Sequence, residues 1–310
     1  MIIIDYSGVS IAPVAMGHAG VDENLIRHMI LNSIRMYRNK FKDKYGEIVI
    51  VADGGGNWRK KVYPEYKGNR SKNREESKIN WEEAFRIIGM VRDELRDNFP
   101  YKVIHQWGCE ADDTIAELVK WTQEFGNHEE VMIVSADKDF KQLQKYNNVR
   151  QYSNITKKFV DEPNPRLYLA EHILKGDGGD GVPNVLSDDK CLVEGRRQNV
   201  LSKKKKETLL EDPKALGEDV YRNYLRNKKM IDLEEAKTKF ENFIDKLNSF
   251  GLKKQIIITV SPVRHLKEGL VENSVSKSIL RVLAHSISQN DKKIFENSVF
   301  WGLKSDIYFE

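Results

Sequence analysis

Three short apolar runs that each end in aspartate constrain the fold of this chain more than any other feature. Asp5 follows Ile2-Ile3-Ile4, Asp53 follows Ile48-Val49-Ile50-Val51-Ala52, and Asp137 follows Val131-Met132-Ile133-Val134-Ser135-Ala136. A run of this kind reads as a strand of a parallel sheet, and such sheets bind ligands outside the carboxyl ends of their strands. Three acids in register at that edge would share one cleft.

The segments between the runs carry helical periodicity. Leu25, Ile26, Met29, Ile30, Ile34 and Tyr37 predict an amphipathic helix over 22–44, and Trp81, Ala84, Phe85, Ile88, Val91 and Leu95 predict another. Residues 101–105 read as a strand leading to a helix that starts near Glu110. Residues 149–152 read as a strand after a short helix from Asp139, and Pro165 opens a helix through Leu174. The alternation predicts an α/β core over residues 1–184, a mostly parallel sheet with helices on both faces. A smaller, mainly helical region over 185–310 follows. Within it, residues 255–260 fit a strand or a buried helix segment. The aromatics Phe300, Trp301, Tyr308 and Phe309 fit packing onto the core or a docking peptide.

Composition narrows the classes. The chain has 310 residues, is 32% charged, carries a net charge of +4 and has no apolar stretch of membrane-spanning length. No signal-peptide pattern opens it, and two cysteines, Cys109 and Cys191, make no disulfide framework, so a reducing cytoplasm is expected. The positive charge is clustered. Eight Lys and Arg against three Glu lie between Trp58 and Lys78, and Lys203-Lys204-Lys205-Lys206 follows closely on Arg196-Arg197. A basic surround near an acidic centre suits metal-dependent phosphodiester chemistry, because the polyanion must be attracted first. A single such run would read as solvated surface.

Six more acids join the three strand-end aspartates: Glu110, Asp112 and Asp113 at one helix start, Asp139 beside Asp137, and Asp177 and Asp180 in a Gly-rich loop. Each has an ordinary structural use, as a helix cap, a partner of the helix dipole or a turn residue. Together they cannot stay ionised in one cleft without cations. Oxygen donors with no His or Cys at ligand spacing favour Mg²⁺ or Mn²⁺ over Zn²⁺.

The ordered set Asp5, Asp53, Glu110-Ala111-Asp112-Asp113, Ser135-Ala136-Asp137-Lys138-Asp139-Phe140 and Lys175-Gly176-Asp177…Asp180 resembles the flap endonuclease and 5′→3′ exonuclease family, including its phage ribonucleases H that remove lagging-strand RNA primers. The resemblance implies two Mg²⁺ ions, with Mn²⁺ able to substitute. Asp5, Asp53, Glu110, Asp112 and Asp137 would serve the first, and Asp139, Asp177 and Asp180 the second, with Asp113 as a further member. It also implies a mobile arch at about 57–78, in which Arg59, Tyr66, Lys67 and Arg70 meet a single-stranded 5′ end. Lys67 would touch the scissile phosphate and act beside Asp112 and Asp137 in catalysis, and Tyr66 would stack on a base. A helix-hairpin-helix-like element beginning at 176–184 would grip duplex, with a K⁺ ion in relatives and Lys203 and Lys204 nearby. Gly181 stands where an Asn is usual, and Pro183-Asn184 replaces a Pro-Gly turn.

The function expected is a Mg²⁺-dependent 5′ nuclease, both exonuclease and flap endonuclease. It would act on DNA 5′ ends and RNA–DNA hybrid in phage replication, as a monomer in the cytoplasm of an infected cell. A single-strand-binding protein or sliding clamp would be its partner. Two alternatives stand beside it: a PIN-like single-strand ribonuclease and a non-catalytic fork-binding protein. An aspartyl-phosphate phosphatase would need an acid where Ser7 stands.

Overall fold

The computed structural model describes residues 1–16, 22–68, 70, 74, 76–77 and 79–234. Strand-like 255–260, the terminal aromatics, Lys72 and Lys78 lie outside these residues. The described chain builds one six-stranded sheet from β1 (Ile2–Asp5), β2 (Ile48–Ala52), β3 (Lys102–His105), β4 (Val131–Val134), β5 (Val149–Tyr152) and β6 (Phe159–Val160), in spatial order β3-β2-β1-β4-β5-β6. Every pairing is parallel except β5–β6, where two residues close the edge antiparallel.

Each strand divides its apolar residues between the two faces because successive side chains alternate. Ile2 and Ile4, Ile48 and Ile50, and Met132 and Val134 enter one core. Helices α1 (Tyr6–Met16), α2 (Glu23–Tyr45) and α4 (Trp81–Asn98) cover that face. Ile3, Val49, Val51, Val131 and Ile133 enter the other core, under α5 (Ala111–Lys120) and the 3₁₀ segment Lys138–Lys145. Both faces are therefore buried, as the unbroken apolar runs predict.

The amphipathic helices fall where their periodicity puts them. Asp22 caps α2 by accepting from the Leu25 amide at 2.9 Å, and Asn80 caps α4 through the Glu83 amide at 3.2 Å. Three elements depart from expectation. Helix α1 follows β1 without a break, although Gly8 and Pro13 lie in its sequence. Strand β6 is too short for periodicity to reveal. The segment after Asp137 is 3₁₀ rather than α-helix.

Beyond the sheet, α3 (Trp58–Val62) begins the basic block, α6 (Pro165–Lys175) leads into the Asp177–Asp180 loop, and α7 (Lys203–Glu211) and α8 (Glu218–Ile231) follow. Tyr63 and Tyr66 pack with Ile173, Val182, Met230 and Ile231, which fastens the basic segment to α6, the loop and α8. Among the described residues no helix is long and apolar enough to cross a membrane.

Candidate metal centre and nucleic-acid interface

Sheet order determines where the acids meet. The chain runs from β1 outward through β2 and β3, then returns to the other side of β1 as β4 and β5. The crevice at this switch of direction is where open α/β sheets hold ligands. Asp5 pairs in register with Val51, and Ile4 with Val134, so Asp53 and Asp137 leave the same edge two residues beyond the level of Asp5. Parity sets the face. Asp5 continues the Ile3 side and Ser135 the Ile133 side, and the Ser135 hydroxyl donates to Asp5 Oδ2 at 2.7 Å. Helix α5 covers that face and brings its first turn to the acids. The Ala111 amide donates to Asp53 Oδ1 at 2.9 Å, and Ser7 donates to Asp53 Oδ2 at 2.6 Å.

The carboxylates act on one another across the crevice. Burial pushes Asp5 up to about 6 despite the Ser135 hydrogen bond, and the negative charges of Asp53 and Asp137 add to the rise. Burial, Asp137 and Asp5 together raise Asp112 well above the usual carboxylate range. Asp139 is raised in the same way by burial and by Asp137, Asp177 and Asp180. Asp137 opens to solvent at the mouth. Desolvation and the charges of Asp180 and Asp177 raise it, against the Asp139 amide that donates to it at 2.9 Å. Seven of the nine sequence-predicted acids thus form one electrostatic unit: Asp5, Asp53, Asp112, Asp137, Asp139, Asp177 and Asp180.

The remaining two are turned toward cations. Glu110 caps α5 and meets Arg59 at 3.0 Å, Tyr66 at 2.9 Å and the Lys67 ammonium. Asp113, expected as a further metal ligand, has both oxygens engaged elsewhere. It takes the Arg59 fork at 2.9 and 2.7 Å, the Trp58 indole N–H at 3.0 Å and the Glu110 amide at 3.2 Å. It closes the helix cap and the ion pair instead of facing the crevice.

Arg59 and Tyr66, expected as nucleic-acid contacts, are each 2% exposed. Arg59 also donates to the Met230 carbonyl at 2.9 Å, so it joins α3, α5 and the end of α8. The Tyr66 hydroxyl lies 2.9 Å from both Glu110 Oε2 and Asp180 Oδ2. Lys67 has a positive φ of 56°, and its amide donates to the Asp180 carbonyl at 2.7 Å. Its ammonium reaches Glu110 and lies 3.5 Å from Asp180 Oδ2. Burial opposes that charge, but Asp180 and Glu110 outweigh it and raise the ammonium's pKa. Arg70 also pairs with Asp180 while staying largely in solvent. Lys203 and Lys204 are exposed on the first turn of α7. Lys203 lines a groove with Lys175, Lys206, Asn184 and Gln198.

The loop after α6 keeps its shape with Gly181 in place of Asn. Gly181 sits in the left-handed region at φ 74°, ψ 17°, a conformation that Gly and Asn both accept. Asp177 caps the turn through the Gly179 amide at 2.9 Å and forms a bridge with Val182. The Asn184 side chain braces the following loop by donating to the Asn199 carbonyl at 2.8 Å and accepting from the Leu186 amide at 3.0 Å.

Sequence reasoning missed three residues of the site. Ser7 and Ser135 orient Asp53 and Asp5, and a hydroxyl beside a strand-end acid is a weak signal. His172, in the last turn of α6, is the third. Its ring nitrogens lie 3.2 Å from Asp139 Oδ1 and 3.6 Å from Asp177 Oδ2. Burial works to raise Asp177, but His172 and Lys138 prevail and hold it below the usual carboxylate range.

The donor set fits divalent cations. Oxygen ligands converge, four of the acids are destabilised as anions, and Asp139 Oδ1 is buried with no hydrogen-bond partner.

The chain is similar to several known proteins. Residues 12–167 match the family model described as 5′-3′ exonuclease, N-terminal resolvase-like domain. A shorter stretch, 202–295, matches the model of the GSCFA family and extends mostly beyond the described residues. The ribonuclease H of Enterobacteria phage T4 is 34% identical over 266 residues, which span 81% of this chain and 87% of the relative. A flap endonuclease Xni of Shewanella denitrificans is 31% identical over 149 residues, 44% of this chain and 54% of that one. Among solved structures, a bacteriophage T5 flap endonuclease with DNA and metal ions aligns with a TM-score of 0.59 at 16% identity, covering 91% of this chain and 98% of the other. The T5 5′-exonuclease with bound zinc aligns at 0.55 and 18% identity, covering 75% and 89%. At those identities the likeness shows the fold. The family model and the T4 relative show more: this chain belongs to the flap endonuclease and 5′→3′ exonuclease family.

Proposed function

We propose that the chain is a Mg²⁺-dependent, structure-specific 5′ nuclease that cleaves DNA flaps and RNA–DNA hybrid near the junction of single strand and duplex, and that it removes RNA primers in phage replication. The observation that carries this reading is the crevice at β1 and β4. Burial, and then the charges of their neighbours, raise its carboxylates, a cost that bound cations relieve. Asp5, Asp53, Asp112 and Asp137 would hold one ion, joined by Glu110 once the Lys67 ammonium leaves its Oε1 for a phosphate, and Asp139, Asp177 and Asp180 would hold a second. Ions held there would supply water activation and stabilisation of the leaving oxygen of a phosphodiester.

The chain's own residues supply the rest. Ser135 and Ser7 fix the orientation of Asp5 and Asp53. The Lys67 ammonium, now held by Glu110 and Asp180, lies at the mouth where a phosphate would enter and provides the positive charge that meets it. Arg70, Lys203 and Lys204 are the exposed cations of the predicted set, suited to backbone contact. DNA is the partner expected first. The T4 and T5 relatives support RNA–DNA hybrid and flap substrates respectively, by their names.

Cleavage of 5′-labelled flap, nicked duplex and RNA–DNA hybrid under Mg²⁺ titration tests the reading. Asp112→Asn and Asp137→Asn are expected to lower the rate by at least about 10³-fold, while junction binding persists in Ca²⁺. Full activity of both variants would sink the proposal, and cutting confined to single-stranded RNA would favour the PIN-like alternative.

A further inference from the structure

His172 is the one member of the crevice that an all-oxygen Mg²⁺ site does not require. It is 6% exposed, at the end of α6, and its imidazole lies between Asp139 and Asp177. Both ring nitrogens and Asp139 Oδ1 are buried without a well-aligned hydrogen bond, although Nδ1 lies 3.2 Å from that oxygen, so three polar atoms share one small space. Leaving buried polar atoms without good hydrogen bonds is costly. A core histidine normally escapes that cost by donating to a carbonyl or hydroxyl, and this one does not. One donor atom from each of Asp139, His172 and Asp177 lies within 4.8 Å of the others, which is the spread a single ion bridges. The neighbouring Lys138 ammonium, 3.1 Å from Asp177 Oδ2, is on a half-exposed side chain that is free to swing outward when a cation arrives.

We propose that His172 is a nitrogen ligand of the second metal position, so that Asp139, His172 and Asp177 form a mixed nitrogen–oxygen site. The inference rests on the metal-dependent reading above and deepens it. Imidazole is a poor donor for Mg²⁺ and suits Zn²⁺ best, with Mn²⁺ between them, so a bound Mn²⁺ or Zn²⁺ would gain more from His172 than Mg²⁺ does. The other ring nitrogen, which keeps its proton, faces whichever carboxylate the ligating nitrogen does not. Such a partner fixes ring orientation and tautomer in histidine metal sites.

Direct spectroscopy of the full chain loaded with Mn²⁺ provides the test. Pulsed electron paramagnetic resonance is expected to show nitrogen coupling to bound Mn²⁺ in the native protein and to lose it in His172→Gln. By calorimetry the variant is expected to bind Mn²⁺ at one site about 10-fold more weakly or worse, with Mg²⁺ affinity changed less than about threefold. Should His172→Gln fail to give a native thermal transition, His172→Asn takes its place. Absence of nitrogen coupling in the native protein overturns the proposal whatever the variants do, as does coupling that persists in a folded variant. Nitrogen coupling in a chain that cleaves none of the flap, nicked or hybrid substrates would uphold the site and remove the nuclease reading. Cleavage with Mg²⁺ but no nitrogen coupling would do the reverse.

Discussion

Asp113 and Arg59 show what a single residue's neighbours do to its chemistry. Both occur in motifs that suggest function, an acidic helix start and a basic block, and both are buried against each other. Burying one charge is expensive unless it is paired and hydrogen-bonded, and here the guanidinium serves two carboxylates and a backbone carbonyl at once. Replacing Arg59 with Met would leave Glu110 and Asp113 buried without that partner. The expected loss is about 3–5 kcal/mol of folding stability, measured by urea denaturation. A variant that keeps native stability but binds DNA weakly would return Arg59 to the nucleic-acid surface. Nothing in the local sequence separates Asp113 from Asp112. The two differ by about 100° around the helix axis, and only the packed structure decides which one faces the crevice.

At the scale of elements, the legible parts were those whose signal is local and repeated. Apolar runs ending in Asp gave β1, β2 and β4 because burial on both faces leaves no polar alternation to confuse with another element. Helices α2 and α4 were equally clear from their buried stripes. Helix α1 escaped notice because Ser7, Gly8, Ser10 and Pro13 are poor helix formers, and packing on α2 and β1 sustains it. His172 escaped because its distance from Asp139 is set by how α6 lies on the 3₁₀ segment, not by any spacing in the chain. The junction of α6 with the Asp177 loop also yields a prediction. Gly176 has φ +70°, and a Cβ there would lie 2.4 Å from the backbone oxygens of Val182 and Pro183. Gly176→Ala is expected to cost about 1–3 kcal/mol for the positive-φ backbone alone. It should also displace the 182–183 segment that bridges back to Asp177. A lowered melting temperature together with weaker Mn²⁺ binding would be the outcome, and a melting temperature equal to the parent's would contradict it.

For the whole molecule, the acidic crevice makes stability depend on pH and metal together. In the metal-free protein Asp5 titrates at about 6, and Asp112, Asp137 and Asp139 are raised as well. The folded chain therefore holds these protons more tightly than the unfolded chain, whose carboxylates titrate near about 4. Their contribution to stability is complete below that value and is lost as pH rises through their raised folded values, about 6 for Asp5. Asp177 runs the other way, but its window lies below the ordinary carboxylate range. A divalent cation binds only the ionised set, so the rise in melting temperature on adding Mg²⁺ is expected to be small at pH 5 and to grow toward pH 8. Scanning calorimetry with Mg²⁺ or with a chelator at each pH would measure it. An increment that does not vary with pH would contradict the titrating crevice.

The place of β1 in the sheet also bears on synthesis. Of the described strands, the first to leave the ribosome is a central one. One of its edges waits for β2 and the other for β4, which emerges only after residue 134. Asp5 can meet Asp137 only then, and Asp177 and Asp180 arrive later still. Pairings so distant in sequence form slowly and late. A nascent chain of this protein therefore carries no assembled centre until Asp180 has emerged, long after β1 itself.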